Sequence, residues 1–280
     1  MARTVRGAKV LITGAASGMG RSYAERAVAE GAAAVTLWDR DASALARTAE
    51  ALGQAARGRT LVRSEVVDLG EMGAIAKHAQ KVRNDLGAPD ILINNAGIVR
   101  GNRYFWETDN GDDTRATMRV NALAPMYVAR EFLPGMIADA YRAKRIVNIA
   151  SAAGTLGNPR MAAYAASKAA LIGWSDSLRV ELAQAGHTNV KVTTVTPSYI
   201  ATGMFAGATG PLLAPILEPD VVVDRVWRAM LRGEPLVELP RTVRLSRALR
   251  ALLPTRVFDV VVGGGFGVYR SMQGFTGRAR

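Results

Sequence analysis

A glycine-rich turn near the N-terminus constrains this chain most. Thr13-Gly14-Ala15-Ala16-Ser17-Gly18-Met19-Gly20 follows an apolar run, Lys9–Thr13, and precedes a stretch with helical spacing, Ser22–Glu30, that stops at Gly31. A strand feeding a helix through glycines lets backbone approach an anion at the helix N-terminus, where unpaired N–H groups and the helix dipole favour negative charge. The same turn also serves as a tight strand–helix connection with no ligand. Asp39 separates these readings. It ends a second apolar run, Ala34–Trp38, about 20 residues on, where an acid can bond the ribose hydroxyls of a dinucleotide.

The alternation continues. Helical spacing is expected from about Ala42 to Gln54, over Gly73–Asp85, over residues 113–138 and over Ala162–Ala185. Strands are expected at Thr60–Val67, Ile91–Asn94, Arg145–Ala150 and Val190–Val195. Strands alternating with helices predict an α/β fold of the Rossmann type, a doubly wound parallel sheet with helices on both faces. Neither a repeat nor a low-complexity linker divides the 280 residues. We therefore expect one catalytic domain over residues 1–240 and a basic extension over 241–280, packed on or beside it.

Composition narrows the function. The chain has no cysteine, which excludes disulfides and thiolate metal sites and fits a cytoplasmic setting. The stretch from Met1 to Lys9 does not read as a signal peptide, and no apolar run approaches the roughly 20 residues of a membrane span. Glu107, Asp109, Asp112 and Asp113 lack calcium-loop spacing and read as a solvated loop capping the next helix. No metal site is expected. The two histidines, His78 and His187, are expected at the surface, and neither accompanies a G-x-S-x-G.

The sequence resembles the short-chain dehydrogenase/reductase family over about residues 5–205. The resemblance rests on Thr13–Gly20, Asp68, Asn94-Asn95-Ala96-Gly97, Asn121, Ser151 and Tyr164-Ala165-Ala166-Ser167-Lys168, in that order. Ser198 stands after Pro197 where the family usually has glycine. With the tail segments Leu253–Asp259 and Ser271–Arg278, it resembles the branch of retinol dehydrogenases and lipid-droplet 17β-hydroxysteroid dehydrogenases. Some members of that branch carry an N-terminal membrane anchor, which is not expected here. The resemblance implies a nicotinamide cofactor held by Gly14, Ser17, Gly18, Met19, Gly20, Asp39, Asp68, Asn95, Ala96, Gly97, Tyr164, Lys168, Pro197, Ile200 and Thr202. Asp68 is expected at the adenine, Asn95 at the central sheet and cofactor ribose, and Thr202 at the carboxamide with Ile200 beside it. NAD is expected over NADP, because Asp39 would repel a 2′-phosphate; Arg21 and Arg40 nearby leave room for the phosphate.

Hydride transfer between an alcohol and nicotinamide needs a proton acceptor and a stabilised alkoxide. Tyr164 and Lys168 stand four apart on the expected helix and share a face. The lysine charge is expected to favour tyrosinate. Lys168 can also hold the nicotinamide ribose. Ser151 ends the fifth strand, where its hydroxyl can bond the substrate oxygen. By resemblance, Asn121 holds a water that relays the proton beyond Lys168. The alternative is a nucleotide-binding sensor or scaffold without turnover, which loss of Tyr164 or Lys168 would favour; both are present.

The segment Thr202–Pro219 is expected to cover the substrate. It carries Met204, Phe205, Leu212, Leu213, Pro215, Ile216 and Leu217 and no charge before Glu218. Such a cover suits an apolar alcohol or ketone, such as a steroid, retinoid or long-chain lipid, and a place in lipid metabolism. The helix Ala162–Ala185 is rich in alanine, which permits close packing, and the resemblance implies a homodimer or homotetramer paired through it and its neighbour. Residues 241–280 hold eight arginines, among them Arg278 and Arg280, against Asp259 alone, or +7 of the net +12. Nucleic acid is not expected, since no regular aromatics interleave the arginines. Leu245, Ala248, Leu249 and Leu252 share one face of a short helix, Arg244–Leu253, which Pro254 ends. The leucines either pack on the domain or a partner subunit, or lie on an anionic membrane in weak peripheral contact.

Overall fold

The computed structural model describes residues 4–212 and 214–277. Met1, Leu213, Arg278 and Arg280 lie outside them. Among the described residues, seven parallel strands form one sheet, in the order β3-β2-β1-β4-β5-β6-β7. They are β1 (Lys9–Thr13), β2 (Ala34–Asp39), β3 (Leu61–Val66), β4 (Ile91–Asn94), β5 (Lys144–Ile149), β6 (Val190–Pro197) and β7 (Leu236–Leu239). Strand order reverses between β1 and β4. That reversal opens a crevice at the carboxyl ends of the strands.

Helices cover both faces. On one side α1 (Gly18–Ala29), α2 (Ala42–Ala56) and α7 (Pro219–Arg232) bury Tyr23, Leu45 and Trp227 against Val10, Ile12 and Val195. On the other, α3 (Met72–Leu86), α5 (Ala124–Ala138) and α6 (Ala162–Gln184) bury Ile75, Phe132 and Leu178 against Leu11, Leu92 and Val192. Strands β1, β2 and β4 are buried on both faces and read as near-continuous apolar runs, whereas β3 is half-buried to exposed and carries Arg63 and Glu65.

Three features differ from expectation. First, α1 begins at Gly18, not Ser22, so the second half of the glycine turn is its first turn. Second, the long helix before β5 starts at Asn110 and is not regular. It runs through a π segment (Asn110–Arg115), α4 (Ala116–Met118), a second π segment (Arg119–Leu123) and α5. Asp109 caps its start, accepting from the N–H groups of Gly111 and Asp112 at 2.7 Å each, whereas Asp113 is buried and paired with Arg103. Third, α7 and β7 extend the sheet beyond the six expected strands. Val222, Val223, Val226, Trp227, Ala229 and Met230 carried the helical period that marks α7. The histidines are half-buried. His78 packs edge-on against Trp38 and meets Glu65 at 3.1 Å.

The tail buries Val243, Phe258, Val262 and Met272. It forms α8 (Thr242–Leu252), α9 (Thr255–Phe258), a π segment (Asp259–Gly265) and a 3-10 turn (Val268–Arg270). Val243 is buried and Leu249 half-buried, but Leu245 and Leu252 are exposed. Among the described residues, no helix is long and apolar enough to cross a membrane.

Candidate active site

The glycine turn is shaped by contacts that admit no side chain. A Cβ on Gly20 would lie 2.0 Å from the Gly14 carbonyl oxygen, and one on Gly14 would lie 2.8 Å from Ala96 Cα. Gly14 and Gly18 both take positive φ, 66° and 54°, which favours glycine. The turn is tied to β4. Asn95 Nδ2 donates to the carbonyls of Thr13 (3.0 Å) and Gly14 (3.2 Å), while the Asn95 and Ala96 amides donate to Thr13 Oγ1. A Cβ on Gly18 would meet the Thr202 side chain at 3.5 Å, so the loop after β6 lies across the turn.

Asp39 stands at the end of β2 beside this turn. One carboxylate oxygen accepts from Ala16 N–H and the other from Asp41 N–H, each at 3.0 Å. A carboxylate has about four acceptor positions, so two remain for a diol. Asp68 lies exposed past β3, its Oδ1 accepting from Gly70 N–H. Ile200 is buried in a bridge to Leu217, three residues past Pro197, which ends β6. These groups converge on the crevice where the strand order reverses. A groove of glycine backbone, a helix N-terminus and a diol-bonding acid fits a dinucleotide.

Ser151, Tyr164, Lys168 and Asn121 come together beside it, all buried. Ser151 begins the loop after β5, and Tyr164 sits in the first turn of α6. One turn on, Lys168 Nζ donates to the Ile149 carbonyl at 2.9 Å and stands 5.7 Å from the Tyr164 ring centroid. A Cβ on Gly97 would meet Asn121 Oδ1 at 3.4 Å and Lys168 Nζ at 3.5 Å, so Gly97 keeps this corner open. Asn121 lies in the second π segment. Its side chain accepts from Ile98 N–H and donates to the Ile98 carbonyl and Ser167 Oγ. Both amide hydrogens therefore go to protein, and the side chain is a strut between the β4 loop and α6. Local π geometry of this kind often marks functional sites.

The electrostatics correct one expectation. Burial pushes the Tyr164 phenol above its ordinary range, outweighing the adjacent Ser151 hydroxyl. Burial pushes the Lys168 ammonium down to about 8. Desolvation disfavours both charged forms, so the protein alone does not produce a ready tyrosinate.

Above Ser151 and Tyr164 opens a cavity of about 80 Å³ with a solvent-open mouth. Its walls include Phe205, Pro211 and Ala214 from the expected cover, but also Val243 and Ser246 of α8, Val262 and Phe266. Among the described residues, none that lines it is charged. Leu212 and Ile216, expected over the substrate, point to solvent. Tyr199 was not singled out in the sequence. Its ring packs edge-on against Phe205, as Tyr164 does, and its hydroxyl meets Ser271 Oγ at 2.8 Å and accepts from Asn158 Nδ2 at 3.0 Å. The only local signal was its place, two residues past the end of β6.

Residues 8–210 match the short chain dehydrogenase family. Epidermal retinol dehydrogenase 2 of Mus musculus is 34% identical over 281 residues, covering 99% of this chain and 88% of its own. Estradiol 17-beta-dehydrogenase 11 of Homo sapiens is 34% identical over 260 residues, covering 92% and 83%. Among solved structures, a short-chain dehydrogenase/reductase from Burkholderia phymatum in complex with NAD superposes with a TM-score of 0.78 at 25% identity, covering 92% of this chain and 96% of its own. A metagenomic short-chain oxidoreductase in complex with NADP gives 0.69 at 30% identity, covering 84% and 96%. A dinucleotide crevice with serine, tyrosine and lysine at its edge, and relatives matched along nearly the whole chain, lead to one conclusion: the protein belongs to the short-chain dehydrogenase/reductase family and is an NAD(P)-dependent oxidoreductase.

Proposed function

We propose that the chain is an NAD-preferring alcohol dehydrogenase or carbonyl reductase for apolar secondary alcohols and ketones or for retinoid-, steroid- or lipid-like alcohols and aldehydes. The uncharged lining of the cavity above Ser151 and Tyr164 carries this reading. Its described lining offers no charged partner to a carboxylate or phosphate and rewards burial of apolar surface. The names of the retinol and estradiol dehydrogenases among its relatives support the same class.

In this reading Gly14, Ser17, Gly18, Met19 and Gly20 cradle the pyrophosphate, and Asp39 accepts from the ribose diol. Asp68, Asn95, Ala96, Gly97, Pro197, Ile200 and Thr202 complete the cofactor's surroundings. The bound nicotinamide supplies the hydride acceptor or donor. Ser151 donates to the substrate oxygen, and Tyr164 takes or returns the hydroxyl proton. Lys168, still mostly protonated at neutral pH, favours the tyrosinate that forms and bonds the ribose. Asn121 holds the β4 loop against α6, so a relay water would sit on its main-chain carbonyl or on the remaining lone pair of Oδ1. Residues 1–240 act as the catalytic domain and the tail from 241 as an extension that walls the substrate cavity. We place the enzyme in the cytoplasm, in lipid metabolism. It acts as a homodimer or homotetramer paired through α6 and its neighbour; a monomer in sedimentation at micromolar concentration would refute that assembly.

The test is a panel of secondary alcohols and ketones assayed with NAD(H) and NADP(H). Apolar substrates should give the highest kcat/KM, with NAD(H) preferred, and Asp39→Ala should move preference toward NADP(H). Faster wild-type turnover with NADP(H) at equal concentration would overturn the cofactor assignment. Best turnover on short anionic substrates would overturn the substrate class.

A further inference from the structure

The elements that wall the cavity on the C-terminal side have two apolar faces. Their inner faces supply Val243, Val262 and Phe266 to the lining. Their outer faces leave Leu245 50%, Leu252 78% and Val260 73% exposed, with Leu212 beside them at 77%, joined through its amide to the Phe266 carbonyl. Exposed apolar side chains gathered on consecutive elements mark a binding surface more often than scattered ones do.

Charge indicates what covers that surface. Between residues 241 and 277 stand Arg241, Arg244, Arg247, Arg250, Arg256 and Arg270 against Asp259 alone, a net of +5. Buried Glu238 offsets part of this beside Arg244 and Arg247. A second copy packed face to face would bring like charges together. An anionic surface would not.

A further apolar group is tied to the same cavity. The Tyr104 and Trp106 rings stack at 4.9 Å, Trp106 is 80% exposed, and Arg160 lies over the Tyr104 ring. Arg160 precedes the lining residue Met161, and Asn102 of the same loop bonds the Met272 carbonyl of the tail. Of the acids that follow, Asp113 is buried against Arg103; Glu107, Asp109 and Asp112 are exposed and stand in sequence among Arg100, Arg103 and Arg115. Stacked aromatics with polar edges suit a lipid headgroup layer.

We propose that the outer face of α8, α9 and the following π segment, together with the Tyr104–Trp106 turn, docks on an anionic lipid bilayer, so that apolar substrate passes between lipid and cavity without crossing water. This rests on the apolar-substrate reading above and adds the surface that delivers such a substrate. The buried area is small, so docking is reversible and weakened by salt.

Full-length protein is tested with phosphatidylcholine vesicles, with and without phosphatidylserine, by co-sedimentation and tryptophan emission. Binding is expected only with phosphatidylserine, with a blue shift that disappears in Trp106→Phe. Replacing Arg247, Arg250 and Arg256 together with glutamine should weaken binding about a hundredfold, since each basic residue near such a surface contributes about fivefold (~1 kcal/mol). Leu252→Asp with Val260→Asp should weaken it further, and both sites are exposed enough to fold normally. All variants should keep wild-type turnover on a short soluble alcohol. Loss of that turnover in the wild type would count against the function, not the docking. Equal binding to neutral vesicles, no binding at low salt, an unshifted Trp106, or variants that change self-association but not lipid binding would each overturn the proposal.

Discussion

On the cofactor side of Tyr164 the walls are backbone. Gly14, Gly18 and Gly20 bring main chain within contact of Ala96, Thr202 and one another, and Asn95 ties β1 to β4 through carbonyls. On the substrate side the walls are side chains from distant segments. Phe205 stands edge-on to Tyr164, Tyr199 and Phe275, and Asn158 reaches Ser271, 113 residues away. A backbone wall is specified locally by glycines at fixed spacing, and its shape is fixed by the main chain. A side-chain wall depends on where the tail folds back, and its shape can vary while the chemistry stays fixed.

The largest expected effect falls on the seam between the two. Tyr164→Phe removes the acid/base and should lower kcat by about 10² to 10⁴, leaving NAD affinity within about twofold, a difference too small to matter against RT. Stopped-flow or fluorescence titration separates the two quantities. Near-normal kcat would sink the mechanism. A parallel loss of cofactor affinity would show that the two walls are not independent.

This division also explains what was legible in the sequence. The strands from β1 to β6 and the residues Asp39, Ser151, Tyr164 and Lys168 could be placed because each sits at a strand end or on a helix of clear period; Asn95 and Asn121 came from the family resemblance, and Asn121 lies in an irregular π segment. The substrate wall could not. Leu212 and Ile216 are as apolar as Phe205, yet they face solvent while Phe205 lines the cavity. Nothing local distinguishes them, because the choice is made by the tail packing from the other side. On α8 the amphipathic period was legible, but the sequence left open which way its leucines face. Val243, Ser246 and Leu249 turn inward, and the Leu245–Leu252 stripe turns outward. The expected fall in the Tyr164 pKa failed for a related reason: adjacency to a lysine is visible in sequence, whereas burial of both groups is not.

Burial also predicts a smaller effect, on stability. Lys168 sits near 8 in the folded protein and about 10.4 when unfolded. Between these values the unfolded chain binds more protons, so stability should rise with pH from about 8 to about 10 through this group. Below 8 both states are protonated, and the full cost of the buried ammonium remains. Lys168→Met should be more stable than wild type at pH 7, with the gap narrowing as pH rises through that window. Urea unfolding at several pH values, without cofactor, measures it. A gap that does not depend on pH would mean that the Ile149 carbonyl, not burial, governs this lysine.

The smallest effect belongs to the tether that holds the tail to the cavity. Ser271 is buried; its hydroxyl donates to the Val268 carbonyl at 2.6 Å, accepts from Asn158 and meets the Tyr199 hydroxyl. Ser271→Ala removes one node and leaves Tyr199 still bonded to Asn158. The cost to stability should be about 1 kcal/mol, the net worth of a neutral hydrogen bond. The functional effect should be one-sided. Tyr199 and Val268 line the substrate cavity, whereas the glycine turn lies across Thr202 and away from Ser271. KM for an apolar alcohol should rise by about threefold to tenfold, the worth of a neutral hydrogen bond, while kcat and NAD affinity stay at wild-type values. A rise in KM with kcat unchanged means that binding common to ground and transition states was lost. That is the signature of a loosened wall rather than a displaced Tyr164. An equal fall in NAD affinity would break the comparison, because it would tie the tail to the backbone-built side as well.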